Sequence, residues 1–227
     1  MEKHIRKIQS FVKRSGRLTE GQRFGLNELW PKFGLDVSTQ PIEFDQIFDQ
    51  NQAVVLEIGF GNGDSLLEMA INEPEHNFLG IEVYEAGVGR LINEANKHNL
   101  SNLKIIKEDA VEILKNNIAD NSLSGFQLYF PDPWHKKKHH KRRIVSPEFM
   151  SLMASKLKHG AFVHMATDWE DYAIQMMEVL EAHPNFKNTQ GAHIYSSRPM
   201  RRPITKFEKR GERLGHGVWD LTFNCEK

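Results

Sequence analysis

The run Ala53-Val-Val-Leu-Glu57-Ile58-Gly59-Phe-Gly61-Asn-Gly63-Asp64-Ser65-Leu-Leu-Glu68-Met-Ala-Ile71 decides the architecture. Its first six residues form a short apolar, β-branched stretch and read as a buried strand. Three glycines follow at alternate positions, and an apolar-periodic helix opens behind them. Ser65 with Glu68 three residues on has the spacing of a capping box, so the helix is predicted to start directly after the glycines. Strand, glycine turn and helix together make the setting in which backbone approaches a ligand closely.

Working outward, Asn77 to Glu82 reads as a second strand that ends in an acid 19 residues after Gly63. A carboxylate there can accept both hydroxyls of an adenosine ribose. A helix over about residues 86–98 leads to a third strand, Leu103 to Ile106, followed by Glu108-Asp109-Ala110. The site is of nucleotide type, and two details choose the nucleotide. The glycines are spaced Gly-x-Gly-x-Gly rather than Gly-x-Gly-x-x-Gly. Glu57 stands just ahead of them, where the pyrophosphate of a dinucleotide would be repelled. An acid in that place suits a cationic ligand, and S-adenosylmethionine carries a sulfonium and an ammonium but no phosphate. Asp109, placed to accept from the adenine amino group, agrees with the same ligand. The candidate cofactor residues are therefore Glu57, Gly59, Gly61, Gly63, Glu82 and Asp109.

A fourth strand, roughly Gly125 to Phe130, runs into Pro131-Asp132-Pro133-Trp134. Two prolines fix the backbone and remove ladder donors, so a carboxylate and a large aromatic sit on a stiff turn at a strand's C-terminal end. Open α/β sheets carry their chemistry at that edge. Trp134 reads equally as a base-stacking platform or as a packing plug beneath the turn. From Lys136 to Arg143 the chain carries six Lys or Arg and no acid, a strip suited to phosphates. His135, His139 and His140 lie among these cations, which oppose a bound dication, and no metal is expected. A helix from about Pro147 to Leu157 reads as stopping at His159-Gly160. A fifth strand, Ala161 to Ala166, then delivers Thr167-Asp168 to the same functional edge. The next helix is predicted to bury Ile174, Met177 and Leu180, with Met176 and Met177 as core filler. In the final strand Trp219, Leu221 and Phe223 alternate with Asp220, Thr222 and Asn224, the pattern of a half-buried strand.

The net charge of zero conceals a polarised chain. Residues 1–32 carry 8 Lys or Arg against 3 Asp or Glu, residues 33–130 carry 5 against 16, and residues 131–227 carry 17 against 11. A basic face on an otherwise acidic protein draws a polyanion to one side. Residues 1–35 read as a basic arm, partly helical or disordered when free, and residues 36–227 as a single domain. The one cysteine, Cys225, excludes an internal disulfide and a cysteine-built zinc site, in keeping with a reducing cytoplasm. No run is long enough for a membrane span, and the start lacks the apolar stretch of a signal peptide.

These motifs resemble one family closely, the bacterial tRNA (guanine-N7-)-methyltransferases, from about Arg14-Ser-Gly-Arg-Leu-Thr19 to Asp220. The resemblance is carried by Leu56-Glu-Ile-Gly-Phe-Gly-Asn-Gly63, Gly80-Ile-Glu-Val-Tyr84, Phe130-Pro-Asp-Pro-Trp134 with Lys136, and Thr205-Lys-Phe-Glu208 with Arg210-Gly211. It implies a Rossmann-like class I fold, a mostly parallel doubly wound sheet with an antiparallel C-terminal strand. It further implies methyl transfer from S-adenosylmethionine to N7 of the variable-loop guanine at tRNA position 46, without a metal, leaving S-adenosylhomocysteine. By the same resemblance Asp132 joins the cofactor site and acts in catalysis. Lys136, Asp168, Thr205, Lys206, Phe207 and Glu208 would bind the guanine-bearing substrate. Lys138, His139, His140, Lys141, Arg142 and Arg143 would touch RNA. Members of the family include monomers and homodimers, so no obligate protein partner is implied. His135 stands where relatives commonly have proline, which leaves Asp132 and Lys136 in register. A small-molecule methyltransferase would share the front half of the chain but gives no reason for the basic strip. A non-catalytic RNA-binding protein would need the strip but not the cofactor acids.

Overall fold

The computed structural model describes residues 9–12, 16–204, 208 and 217–227. Its centre is a seven-stranded sheet of order β3-β2-β1-β4-β5-β7-β6. The strands are β1 (Ala53–Ile58), β2 (His76–Ile81), β3 (Leu103–Ile106), β4 (Leu123–Tyr129), β5 (Leu157–Thr167), β6 (Phe186–Asn188) and β7 (Trp219–Cys225). β1 to β5 run parallel, while β7 lies antiparallel between β5 and β6. A parallel sheet covered on both faces buries nearly every strand residue, and β1 is buried from Val54 to Ile58. One apolar layer gathers α4 (Asp64–Asn72) and α5 (Glu85–Lys97) with Val55, Phe78 and Ile105. The opposite layer gathers α6 (Ala110–Asn116), α7 (Pro147–Lys156) and α8 (Glu170–Ala182) with Leu56, Phe126 and Val163. This is the doubly wound, mostly parallel architecture with an antiparallel C-terminal strand that the sequence predicts. The strand order reverses between β1 and β4, which opens a crevice at their C-terminal ends.

Several elements depart from the sequence reading. Within the stretch read as a basic arm, α1 (Glu20–Asn27) and α2 (Trp30–Phe33) form and pack on the domain, with the short α3 (Phe44–Ile47) following before β1. Thr19 and Gln22 close a capping box on α1. Gly25 lies so close to Gly89 of α5 that a Cβ there would come within 2.2 Å of the Gly89 carbonyl oxygen. Phe33 is buried, and the amide of Leu35 donates to Ile105 O at 2.9 Å. In α4 the N-cap is Gly63 in the left-handed region, not Ser65, so the predicted capping box does not form. His159-Gly160 does not end a helix. α7 stops at Lys156 and the chain enters β5 at once, with Gly160 at φ +78° inside the strand. The register explains this: Leu123 pairs with Leu157, but Gly125 pairs with Phe162, so β5 bulges outward over the intervening residues. Ile174 is exposed rather than buried, whereas Met176, Met177 and Leu180 are in the core.

Candidate active site

The glycine turn is built by close packing. Gly59, Gly61 and Gly63 have φ of +73°, +58° and +77°, values that side-chain-bearing residues rarely adopt. α5 presses directly on the turn, since a Cβ on Gly87 would stand 1.8 Å from the Gly61 carbonyl oxygen. Arg90 of α5 closes the far side, donating to Asn62 O at 2.6 Å and pairing with Asp64 at 2.5 Å. Glu82 ties the end of β2 to the same turn. Its Oε2 accepts from Gly61 N at 2.8 Å, and its Oε1 accepts from Val83 N at 2.6 Å and Tyr84 N at 2.9 Å. Three of the roughly four acceptor positions of this carboxylate are thus engaged by backbone. Asp109 is the N-cap of α6, its Oδ1 accepting from Val111 N at 3.0 Å.

These groups surround one cavity of about 270 Å³. Glu57, Gly59 to Ser65, Glu82, Glu108, Asp109, Phe130 and Asp132 all line it, with Ser10, Phe11 and Val12 at its border. Glu57 is 2% exposed, and its Oε2 has no hydrogen-bond partner among the described residues. Burial first, and the nearby Glu82 second, push its carboxyl up to about 8. An unpartnered carboxyl in the wall of a cavity suits a cation, whose positive charge would favour its ionised form, and the set of acceptors suits the sulfonium, ammonium, ribose and adenine of S-adenosylmethionine. Ser65 Oγ is likewise buried and unpartnered there.

The acid turn after β4 is stiffer than its prolines alone require. Phe130 and Trp134, which bracket Pro131-Asp132-Pro133, hold φ of +50° and +49°, uncommon for bulky residues and most frequent where a site stores strain. Phe130 N donates to Ala166 O at 2.7 Å, which pins the turn to the end of β5. Asp132 is exposed and faces the cavity. Trp134 serves as a packing piece. Its Nε1 donates to Ser10 O at 3.2 Å, and the Arg142 guanidinium lies 3.7 Å from its ring centroid.

The basic strip divides into two groups. Lys136 to Lys138 and Lys141 are exposed, the run from Lys137 to Arg142 forming a 3-10 helix. Arg142 instead donates to Gln9 O at 2.9 Å and Phe11 O at 3.1 Å, holding the N-terminal segment at the cavity border. Arg143 is a clear correction to the RNA-binding reading, because it is 5% exposed. It donates to Pro133 O at 2.8 Å, Gln175 Oε1 at 2.6 Å and Asp171 Oδ2 at 2.6 Å, clamping the acid turn to α8. The bond from Arg143 holds the Asp171 carboxyl below its ordinary value. His139 and His140 are half-buried beside this clamp.

Of the substrate candidates, Lys136 is exposed and Asp168 half-buried at the end of β5, and neither borders the cofactor cavity. Thr205, Lys206 and Phe207 lie outside the described residues. Glu208 is buried, and it leads to a cluster that sequence reasoning missed. Arg202 donates to Glu208 Oε2 at 2.7 Å and Oε1 at 2.9 Å, and to Asp220 Oδ1 at 2.7 Å and Oδ2 at 2.9 Å. His164 Nε2 meets Asp220 Oδ1 at 2.7 Å, and His164 Nδ1 meets the Tyr129 hydroxyl at 3.0 Å. Burial lowers the His164 pKa against the opposing pull of Asp220, while bonds from His164 and Arg202 hold Asp220 low against its own burial. Alternation along β7 assigned Asp220 to the polar face, but both faces of that strand are covered there.

Residues 51–221 match a family model described as "Putative methyltransferase". A tRNA (guanine-N(7)-)-methyltransferase of Shewanella amazonensis is 56% identical over 220 residues, 97% of this chain and 92% of that protein. One from Pseudoalteromonas translucida is 54% identical over 225 residues, 99% and 93% of the two chains. Among solved structures, the 16S rRNA methyltransferase KamB superposes with a TM-score of 0.61 at 19% identity, over 82% of this chain and 93% of that one. At that identity the likeness is one of fold.

Proposed function

The chain belongs to the tRNA (guanine-N(7)-)-methyltransferase family, and on that premise we propose that it methylates N7 of the variable-loop guanine at tRNA position 46. The observation that carries the site assignment is the shared cavity wall, where the cofactor acids Glu57, Glu82 and Asp109 meet the catalytic candidate Asp132. Bound there, S-adenosylmethionine supplies an activated methyl group and leaves as S-adenosylhomocysteine. Glu57 would hold its cationic groups, Glu82 the ribose hydroxyls through its remaining acceptor capacity, and Asp109 the adenine amino group. The backbone of Gly59, Gly61 and Gly63 would admit its close approach.

Guanine N7 presents an unshared pair at neutral pH, so no side chain has to remove a proton to make a nucleophile. The work of the protein is alignment and charge placement. Transfer of the methyl group from sulfur to N7 would leave the sulfur neutral and put positive charge on the imidazole ring of the base. Asp132, held on its stiff turn, supplies a fixed negative charge toward that ring. Lys136, Asp168 and the segment Thr205 to Glu208 orient the base. Exposed Lys137, Lys138 and Lys141, with His139 and His140 beside them, locate the tRNA backbone, while the acids recognise the base. A tRNA substrate places the reaction in the cytoplasm.

The test is mass spectrometry of nucleosides from an unmodified tRNA transcript incubated with the protein and S-adenosylmethionine. The expected result is 7-methylguanosine that disappears when guanine 46 is replaced. Methylation of free nucleosides but not of tRNA, or a signal that survives the replacement, would overturn the assignment.

A further inference from the structure

Glu57 and Gln127 are cross-strand partners, in register across the parallel pair β1 and β4. Neighbouring strands lie about 4.8 Å apart, and side chains in register leave the sheet on the same face. Both side chains are buried, Gln127 completely. Each carries an oxygen, Glu57 Oε2 and Gln127 Oε1, without a hydrogen-bond partner among the described residues. Gln127 Nε2 donates to the sulfur of Met69 in α4 at 3.3 Å, a weak acceptor. Two acceptor oxygens cannot bond each other, but a single proton between them satisfies both.

The surroundings favour that proton. Glu57, Asp64, Glu82, Glu108, Asp109 and Asp132 line the cofactor cavity, and no Lys, Arg or His among the described residues does. Asp64, at the start of α4, is paired with Arg90 of α5. Glu82 at the end of β2 opposes a charge on Glu57, and Tyr129 of β4 lies within the same field. From β5, His164 stands in register with Gln127, but its ring is bonded to Tyr129 and Asp220. Burial first, and Glu82 second, keep Glu57 neutral up to about pH 8.

We propose that Gln127 is a positioning residue for the cofactor, acting through Glu57: its amide oxygen accepts from the neutral carboxyl in the free protein, and its amide nitrogen, turned over, donates to the carboxylate once a cationic ligand is bound. The two ends of a primary amide are nearly equal in size, so the exchange needs no extra room. On binding, the Glu57 O–H bond breaks and its proton leaves to the buffer. The inference rests on the reading of this cavity as the S-adenosylmethionine site.

The test is titration calorimetry of S-adenosylmethionine at about pH 6.5, below the range in which the ligand's own α-amino group titrates. Buffers of different ionisation enthalpy count the protons released. The wild-type protein is expected to release about one proton per ligand bound, and Glu57→Gln none. Gln127→Met should weaken binding about tenfold or more, because the buried carboxylate loses its donor. In the Glu57→Gln background the same change should alter Kd by less than about threefold. Binding by the wild type without proton release overturns the linkage. An equal effect of Gln127→Met in both backgrounds, or none in either, overturns the role of Gln127 while the cofactor site stands. Absence of S-adenosylmethionine binding by the wild type overturns the proposed function and this inference with it. Should Gln127→Met not fold, Gln127→Asn, which draws the amide back from Glu57, takes its place under the same criteria.

Discussion

On the β1–β3 side of the crevice the acids are fixed by backbone close at hand. Glu82 is bonded to three amides, Asp109 caps the helix that follows it, and glycines let the turn lie against α5. On the β5–β7 side, Asp220 and Glu208 are fixed by counter-charge: Arg202 between them, with His164 behind Asp220. The first arrangement is expected to be most sensitive to added volume at its glycines, and the second to a missing charged partner. On the first side neighbouring backbone does the fixing, whereas the second is braced by charge pairing between residues far apart in the chain.

The largest effect separating the two sides is expected from Asp220→Ala, which leaves Arg202 buried with one of its two carboxylates. Unfolding in urea should show a loss of about 3–5 kcal/mol. A loss below about 1 kcal/mol would mean that the cluster is not structural. Next is Gly87→Ala on the cofactor side, where the new Cβ meets the Gly61 carbonyl. Overpacking of this kind costs about 1–3 kcal/mol. Displacement of the turn should weaken S-adenosylmethionine by about tenfold or more in calorimetry, each tenfold being about 1.4 kcal/mol. Unchanged affinity would show that the turn yields.

The pH response of Glu57 is gradual, spread between about 4.5 and about 8. Its carboxyl is raised from 4.5 to about 8 in the folded protein, so between those values the folded state holds a proton that the unfolded state has lost. The stabilising contribution is complete below about 4.5 and disappears as the pH climbs through about 8. Stability of the ligand-free protein, taken as wild type minus Glu57→Gln, should therefore fall across that window by no more than about 1.4 kcal/mol per pH unit. A flat difference would contradict a protonated Glu57. The smallest effect on the folded protein belongs to Lys137, Lys138 and Lys141. Their joint change to Gln should leave the melting temperature alone and reduce the slope of log K for tRNA against log salt by about 0.7–0.9 for each phosphate no longer neutralised. Arg143→Gln should do the reverse, lowering stability because its guanidinium is buried.

Sequence makes the cofactor side legible because its signals are local. A β-branched run, three glycines and an acid closing the next strand identify β1, the turn and Glu82 without knowledge of distant neighbours. Even there the cap is misleading: Ser65 has the right spacing, but a left-handed Gly63 already turns the chain into α4. Gly160 misleads for a related reason, since the same positive φ serves a bulge in β5 as readily as a helix end. The β5–β7 side is largely opaque. Tyr129, His164, Arg202 and Asp220 are far apart in the chain, and each looks ordinary in its own window. Arg142 and Arg143 cannot be distinguished from their lysine neighbours by composition, although one holds the N-terminal segment and the other clamps the acid turn.

Asp132 stands where the two sides meet, on the cavity wall and on the turn that follows β4. Single-turnover methylation of tRNA by Asp132→Ala, with S-adenosylmethionine and tRNA affinities measured in parallel, tests its role most directly. Affinity for tRNA should stay close to wild type while the rate at saturating S-adenosylmethionine falls by at least about a hundredfold, the scale on which preorganised charge acts at a reacting centre. Normal binding with near wild-type turnover would contradict a catalytic Asp132.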